Sequence, residues 1–173
     1  KFMGQLTLLI VGGNDTTRNS MSGGLWYLSQ NPAEWEKLRA DPGLVPKLVA
    51  ETIRFQSPII HMRRTASRDT ELAGKQIAEG DKVVMWYLSG NHDGEVIDRP
   101  DDFLVDRRKA RQHLAYGAGI HRCVGDRLAD LQLAILWEEI LKRDLKIEVL
   151  APPTRTMSNF IRGIKKLPVR IAA

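Results

Sequence analysis

At 173 residues, 43% hydrophobic and 27% charged, the chain has the composition of a soluble globular protein with a sizeable core. Its single cysteine excludes an internal disulfide and suits a reducing, cytoplasmic setting. The surplus of 26 Lys+Arg over 21 Asp+Glu leaves a net charge of +5, too modest to call for a nucleic-acid partner. No apolar run approaches the roughly 18 residues needed to cross a bilayer, so no integral membrane segment is expected.

In chain order, Lys1 to Val11 begins without Met and already reads as helix interior, with Phe2, Leu6, Leu9 and Ile10 at three- and four-residue spacing. No capping residue precedes it, so the whole of 1–173 is expected to be the C-terminal part of one longer domain. The helix should run from Lys1 to Ser29 and stop at Asn31-Pro32, because the residue before a proline is biased out of the helical region. Gly12-Gly13-Asn14-Asp15-Thr16-Thr17 interrupts it with two glycines, each costing about 1 kcal/mol relative to Ala. Two readings stand. Either one helix ends at Gly13 and Asn14 or Asp15 caps the next, or a single kinked helix leaves room for a ligand at Gly12, with Thr16 bonded back to the Gly12 carbonyl.

A second helix begins at Pro32 and carries Trp35 and Leu38 toward Asp41-Pro42, and a third runs from Leu44 to Phe55. From Ile59 to Leu88 the pattern turns strand-like, with Val83 to Tyr87 a β-rich run and Glu79-Gly80-Asp81 a turn ahead of it. Residues 91–115 are polar and proline-punctuated, a long loop. Val124 to Lys142 is the clearest helix. Leu128, Leu131 and Ile135 form one stripe, and Leu133, Leu136, Trp137, Ile140 and Leu141 widen it until most of the helix is apolar, as in a helix buried in a larger body. Strands near Lys146–Leu150 and Val169–Ile171 close the chain. The expected fold class is mainly α with small β-sheets (α+β).

The most informative segment is Tyr116-Gly117-Ala118-Gly119-Ile120-His121-Arg122-Cys123-Val124-Gly125, which holds the only cysteine. Alone, a Cys reads as a small buried hydrophobe. Glycines, however, let backbone approach a ligand where a side chain would block it. The helix after Cys123 points the positive end of its dipole at the sulfur, and with Arg122 and His121 beside it the thiolate is favoured. Such a group is suited to binding a metal. His121 with one Cys matches no zinc-ligand spacing. Glu51-Thr52-Ile53-Arg54 pairs an acid and a guanidinium on one helix face and, alone, reads as a solvated ion pair. Arg63-Arg64 and the run Arg107, Arg108, Lys109, Arg111 and Arg122 read as solvent-facing charge.

The cysteine segment closely resembles the haem-ligand loop of the cytochrome P-450 superfamily, with Tyr116 where most members have Phe. Gly-Gly-x-Asp-Thr at 12–16 resembles the same superfamily's oxygen-binding groove, and Glu51-x-x-Arg54 falls between the two in the family's order. The resemblance spans essentially the whole chain and implies the C-terminal part of that fold, from the central oxygen-binding helix onward. It implies haem b (iron protoporphyrin IX) with Cys123 as axial thiolate, which favours O–O cleavage. Tyr116, Gly117 and Gly125 then belong to the cofactor loop. Thr16 orders dioxygen and its proton supply, and Asp15 gates protons from solvent. Arg64, five residues before Asp69, and His121 would reach the propionates. Glu51 and Arg54 would lock the helix to the loop before the cysteine, with Arg99 or Arg107 as third member near Pro100-Asp101-Asp102-Phe103.

The resemblance narrows further. Residues 11–20, His61-Met62-Arg63-Arg64 and Gly80 to Tyr87 look like the bacterial alkane-hydroxylating branch, which oxidises terminal carbons of medium-chain alkanes and related chains. Its implied partners are O₂, a ferredoxin and a ferredoxin reductase, the acidic ferredoxin being steered to the basic run near the cysteine. An apolar lining at Ile59, Ile60 and Phe160 fits an apolar small-molecule substrate or a fatty acid. Two other readings remain: a haem-binding sensor or electron-transfer module, and a piece inactive alone because its apolar helices lack their neighbours.

Overall fold

The computed structural model describes residues 2–172. The first helix, α1 (Phe2–Gln30), runs unbroken through Gly12-Gly13; the expected start at Lys1 lies outside the described residues. The single-helix reading holds, and the alternative with a second cap does not. Thr16 Oγ1 donates to the Gly12 carbonyl at 2.6 Å, and Ser20 repeats the pattern on the Thr16 carbonyl at 2.9 Å. α2 (Pro32–Ala40) leads through a 3₁₀ turn (Pro42–Leu44) into α3 (Val45–Gln56), with prolines in the first turns where no amide hydrogen is missed.

The strand-like region resolves into two antiparallel pairs: β1 (His61–Thr65) with β4 (Lys82–Trp86), and β2 (Thr70–Leu72) with β3 (Lys75–Ile77). The run expected to stay extended to Tyr87 stops at Trp86, and Tyr87 instead opens a one-turn helix, α4 (Tyr87–Gly90). After the long loop, α5 (Asp126–Lys142) begins two residues later than expected, with Gly125 at its N-cap. β5 (Lys146–Val149) pairs with β8 (Val169–Ala172), the two strands expected from the sequence. Between them lies a hairpin that alternation did not reveal, β6 (Thr154–Arg155) with β7 (Ile164–Lys166).

One core joins α1, α3 and α5: Tyr27, Leu28, Leu48, Val49, Ile53, Leu133, Trp137 and Ile140, with Phe103 and Val105 inserted from the long loop. Gly23 and Gly24 make this crossing. A Cβ on Gly24 would stand 3.0 Å from both the Thr52 hydroxyl and the Trp137 ring, and one on Gly23 2.7 Å from Gln56 Oε1. Hydrogen seats on α1 are that close because nothing but hydrogen occupies them.

The broad apolar belt of α5 is buried on one side only. Leu133, Trp137 and Ile140 are inside, while Leu128, Leu131 and Ile135 are exposed, as are Phe2, Leu6, Leu8, Leu9, Ile10 and Val11 on the first turns of α1. No helix among the described residues is long and apolar enough to cross a membrane.

Candidate functional site

The cysteine loop is closed by backbone. Cys123 N–H donates to the Tyr116 carbonyl at 2.9 Å, Gly117 N–H to the Leu114 carbonyl at 2.7 Å and Arg122 N–H to the Gly119 carbonyl at 3.1 Å. Gly117 and Gly119 both sit at φ +68, the left-handed region that glycine enters without strain. The loop turns its cysteine outward: the Cys123 thiol is exposed, flanked by Ile120 at 97% exposure and Val124 at 87%. Two apolar side chains are thus held in the open beside the thiol. An added Cβ at Gly119 or Gly125 would meet nothing within 4 Å, so the loop's outer side is clear.

Tyr116 anchors the loop inward. Its hydroxyl donates to Asp130 Oδ1 on α5 at 2.7 Å, and burial, reinforced by that carboxylate, pushes the phenol far above its ordinary pKa, so it stays protonated. Asp130 is a contact that sequence reading missed; nothing local marks it. Arg122 does not sit as a free cation beside the sulfur, because its guanidinium pairs with Asp126 Oδ2 at 2.7 Å. His121 is exposed at the end of a 3₁₀ turn (Gly119–His121), and Arg64 is exposed on β1, where it donates to the neighbouring Arg63 carbonyl at 3.0 Å.

Glu51 and Arg54 form no solvated pair: both side chains are 0% exposed. Arg54 clasps the carboxylate with two bonds of 2.8 Å and donates onward to the Asn91, Pro100 and Asp102 carbonyls. The third member is Arg107, whose Nε meets Glu51 Oε2 at 2.8 Å. Arg99 instead pairs with Asp102 Oδ2 at the surface. The acids at 101–102 therefore do no harm: the Asp102 carboxylate turns outward while its carbonyl accepts from Arg54 and Arg107. Arg107 also donates to the Arg99 and Asp98 carbonyls, and Leu104 N–H reaches Glu51 Oε1 at 3.0 Å. Arg107 thus leaves the expected basic face, which retains Arg108, Lys109 and Arg111 as exposed cations.

Along α1, Gly12 is open to solvent and the Asp15 carboxylate is engaged by Arg18 at 2.7 Å. One turn beyond Thr16, Asn19 is buried and accepts the Ile164 amide at 2.8 Å, tying this turn of α1 to β7. That hairpin brings the expected apolar residues together. Ile59 bridges Ile161, Ile60 N–H donates to the Phe160 carbonyl at 3.0 Å, and the Phe160 ring lies 5.8 Å from His61. His113 was also missed; burial, reinforced by nearby Arg122, Arg54 and Arg111, lowers its pKa to about 4.

An outward thiol on a backbone-closed loop, open ground above its glycines, apolar neighbours and the exposed His121 fit a flat apolar macrocycle held through sulfur. Residues 2–167 match the sequence profile of the family described as Cytochrome P450, and the chain belongs to that family. Its cofactor is haem b, and the residues present fit it.

Among solved structures the chain is similar to cytochrome P450-153 from Novosphingobium aromaticivorans (52% identity, TM-score 0.96, covering 99% of this chain and 44% of that one). It is likewise similar to CYP153D17 from Sphingomonas sp. PAMC 26605 (53% identity, TM-score 0.94, 97% and 42% covered). Linalool 8-monooxygenase from Pseudomonas putida is 48% identical over 168 residues, 97% of this chain and 41% of that protein. The chain therefore spans about two fifths of the length of the relatives it matches.

Proposed function

We propose that residues 1–173 are the C-terminal part of a haem-thiolate monooxygenase domain that hydroxylates an unactivated C–H bond with O₂ and two electrons. The substrate class we assign is the terminal carbon of medium-chain alkanes or fatty acids. The observation that carries this reading is the exposed Cys123 on its backbone-closed loop between Ile120 and Val124. Haem, when bound, supplies the oxygen activation and electron transfer that no side chain here can provide.

In this proposal Cys123 holds the iron as a thiolate, with Tyr116, Gly117 and Gly125 shaping its loop, and Arg64 and His121 take the propionates. Thr16 donates its hydroxyl hydrogen to the Gly12 carbonyl, which leaves its oxygen free to accept a hydrogen bond in the groove beside Gly12. Asp15, half-buried and paired with Arg18, gates the passage of protons between solvent and that groove. Ile59, Ile60 and Phe160 wall an apolar guest away from water, and they offer it no charged partner of their own. Electrons enter from a ferredoxin, itself reduced by a ferredoxin reductase, over the face bearing Arg108, Lys109 and Arg111.

The test is the reduced carbon-monoxide difference spectrum of the full-length parent and its Cys123→Ser variant. A thiolate-type Soret band present in the parent and lost in the variant is expected. A variant keeping both that band and turnover defeats the assignment. Exposure of the first turns of α1 and the Leu128 stripe of α5 favours a companion reading, that these 173 residues produced alone are inactive.

A further inference from the structure

The cysteine loop is also pinned from below, by a residue outside the Glu51 network. Asn91, the C-cap of α4, is fully buried and every polar group it carries is used. Its N–H donates to the Tyr87 carbonyl at 2.9 Å and its carbonyl accepts from Arg54 Nη1 at 2.6 Å. Its side-chain Nδ2 donates to Ser57 Oγ at 2.7 Å, and Oδ1 accepts the Leu114 amide at 2.6 Å. Leu114 opens the cysteine loop: its carbonyl receives Gly117 N–H, and two residues on the Tyr116 carbonyl receives Cys123 N–H.

Two close approaches bracket this bond. A Cβ on Gly90 would lie 2.7 Å from Leu114 Cδ1, and one on Gly117 would lie 3.3 Å from the Tyr87 hydroxyl. At the other end Ser57 is a non-glycine residue at φ 39, in the left-handed region, with its hydroxyl bonded to the Arg54 carbonyl at 2.7 Å. Backbone strain of this kind persists where surrounding contacts over-determine it.

We propose that Asn91 is a positioning residue for Cys123. It carries the placement of the Glu51–Arg54–Arg107 network across to Leu114 and so sets where the sulfur stands when it meets iron. This rests on the haem-thiolate reading. Because Arg54 uses the Asn91 backbone carbonyl, side-chain substitutions leave the bonds of the ion network in place and act through Leu114 and Ser57.

The experiment compares full-length wild type with Asn91→Asp, Asn91→Leu and Ser57→Ala. It reads the thiolate-type fraction of the reduced CO complex, the rate of haem transfer to apomyoglobin, and hydrogen exchange at the Leu114 amide in the apoprotein. Aspartate keeps an acceptor for Leu114 and should retain the thiolate-type band. Leucine removes both that acceptor and the donor to Ser57, and should convert most of the complex to the thiol-type band and speed haem transfer at least about tenfold, with two hydrogen bonds lost. Leu114 exchange should rise in the leucine variant alone. Ser57→Ala frees one end of the amide and should speed haem transfer about twofold to fivefold. It decides the matter if the leucine variant does not fold. A folded Asn91→Leu protein with wild-type band and haem transfer overturns the proposal, as does an unchanged Ser57→Ala protein where leucine fails to fold. A wild type without the thiolate-type band overturns the haem-thiolate reading instead, and Leu114 exchange still judges the clamp.

Discussion

Arg107 meets Glu51 across 56 positions of sequence, Nε to Oε2 at 2.8 Å, on a carboxylate that Arg54 already clasps with two bonds. One buried anion thus serves two buried cations, and their remaining guanidinium nitrogens donate to carbonyls of 91–102. Removing Arg107 takes one cation from the buried carboxylate and leaves the Asp98 and Arg99 carbonyls without their donor. Arg107→Ala should destabilise the full-length apoprotein by about 3–5 kcal/mol, and Arg99→Ala by under about 1 kcal/mol. Denaturant unfolding measures both, and equal losses would refute the assignment of Arg107 as third member.

Gly24 and Gly12 lie on one helix and should respond oppositely. An alanine at 24 presses on Thr52 and Trp137 at 3.0 Å, costing about 1–3 kcal/mol by overpacking. At 12 the added methyl meets nothing within 4 Å, and helix propensity alone should stabilise the apoprotein by up to about 1 kcal/mol. The same methyl narrows the proposed oxygen groove, so turnover of the loaded enzyme should fall while stability rises. Paired thermal melts and turnover assays check the contrast.

His113 should make stability fall in mild acid. Burial holds it neutral with a pKa of about 4, against 6.5 when unfolded, so between those values the unfolded chain binds more protons. Stability is therefore full above pH 6.5 and is lost as pH drops toward 4, by up to about 3 kcal/mol. Unfolding of wild type and His113→Asn at several pH values measures it; parallel profiles would dismiss the effect.

Reversing the charge of Arg108 and Lys109 should slow reduction of the full-length enzyme by a ferredoxin and flatten its dependence on salt, without changing the CO spectrum. Stopped-flow reduction across ionic strength provides the check, and unchanged kinetics would remove this face as the entry point.

What the sequence alone determined lies within short stretches of chain: proline-bounded helices and the glycine-turned cysteine loop, each set by backbone preferences acting over about four residues, while the structure chose the continuous helix and its Thr16-to-Gly12 bond. Motif order was enough to identify the family, since it depends on residue type and spacing alone. Only the tertiary structure decided between Arg99 and Arg107, turned an apparent surface pair at 51–54 into a buried one, took Arg122 from the sulfur to Asp126, and divided α5 into a buried and an exposed side. The β6–β7 hairpin and the Asn91–Leu114 bond were equally invisible. These depend on which distant segments displace water from one another, and a side chain's own neighbours along the chain do not carry that information.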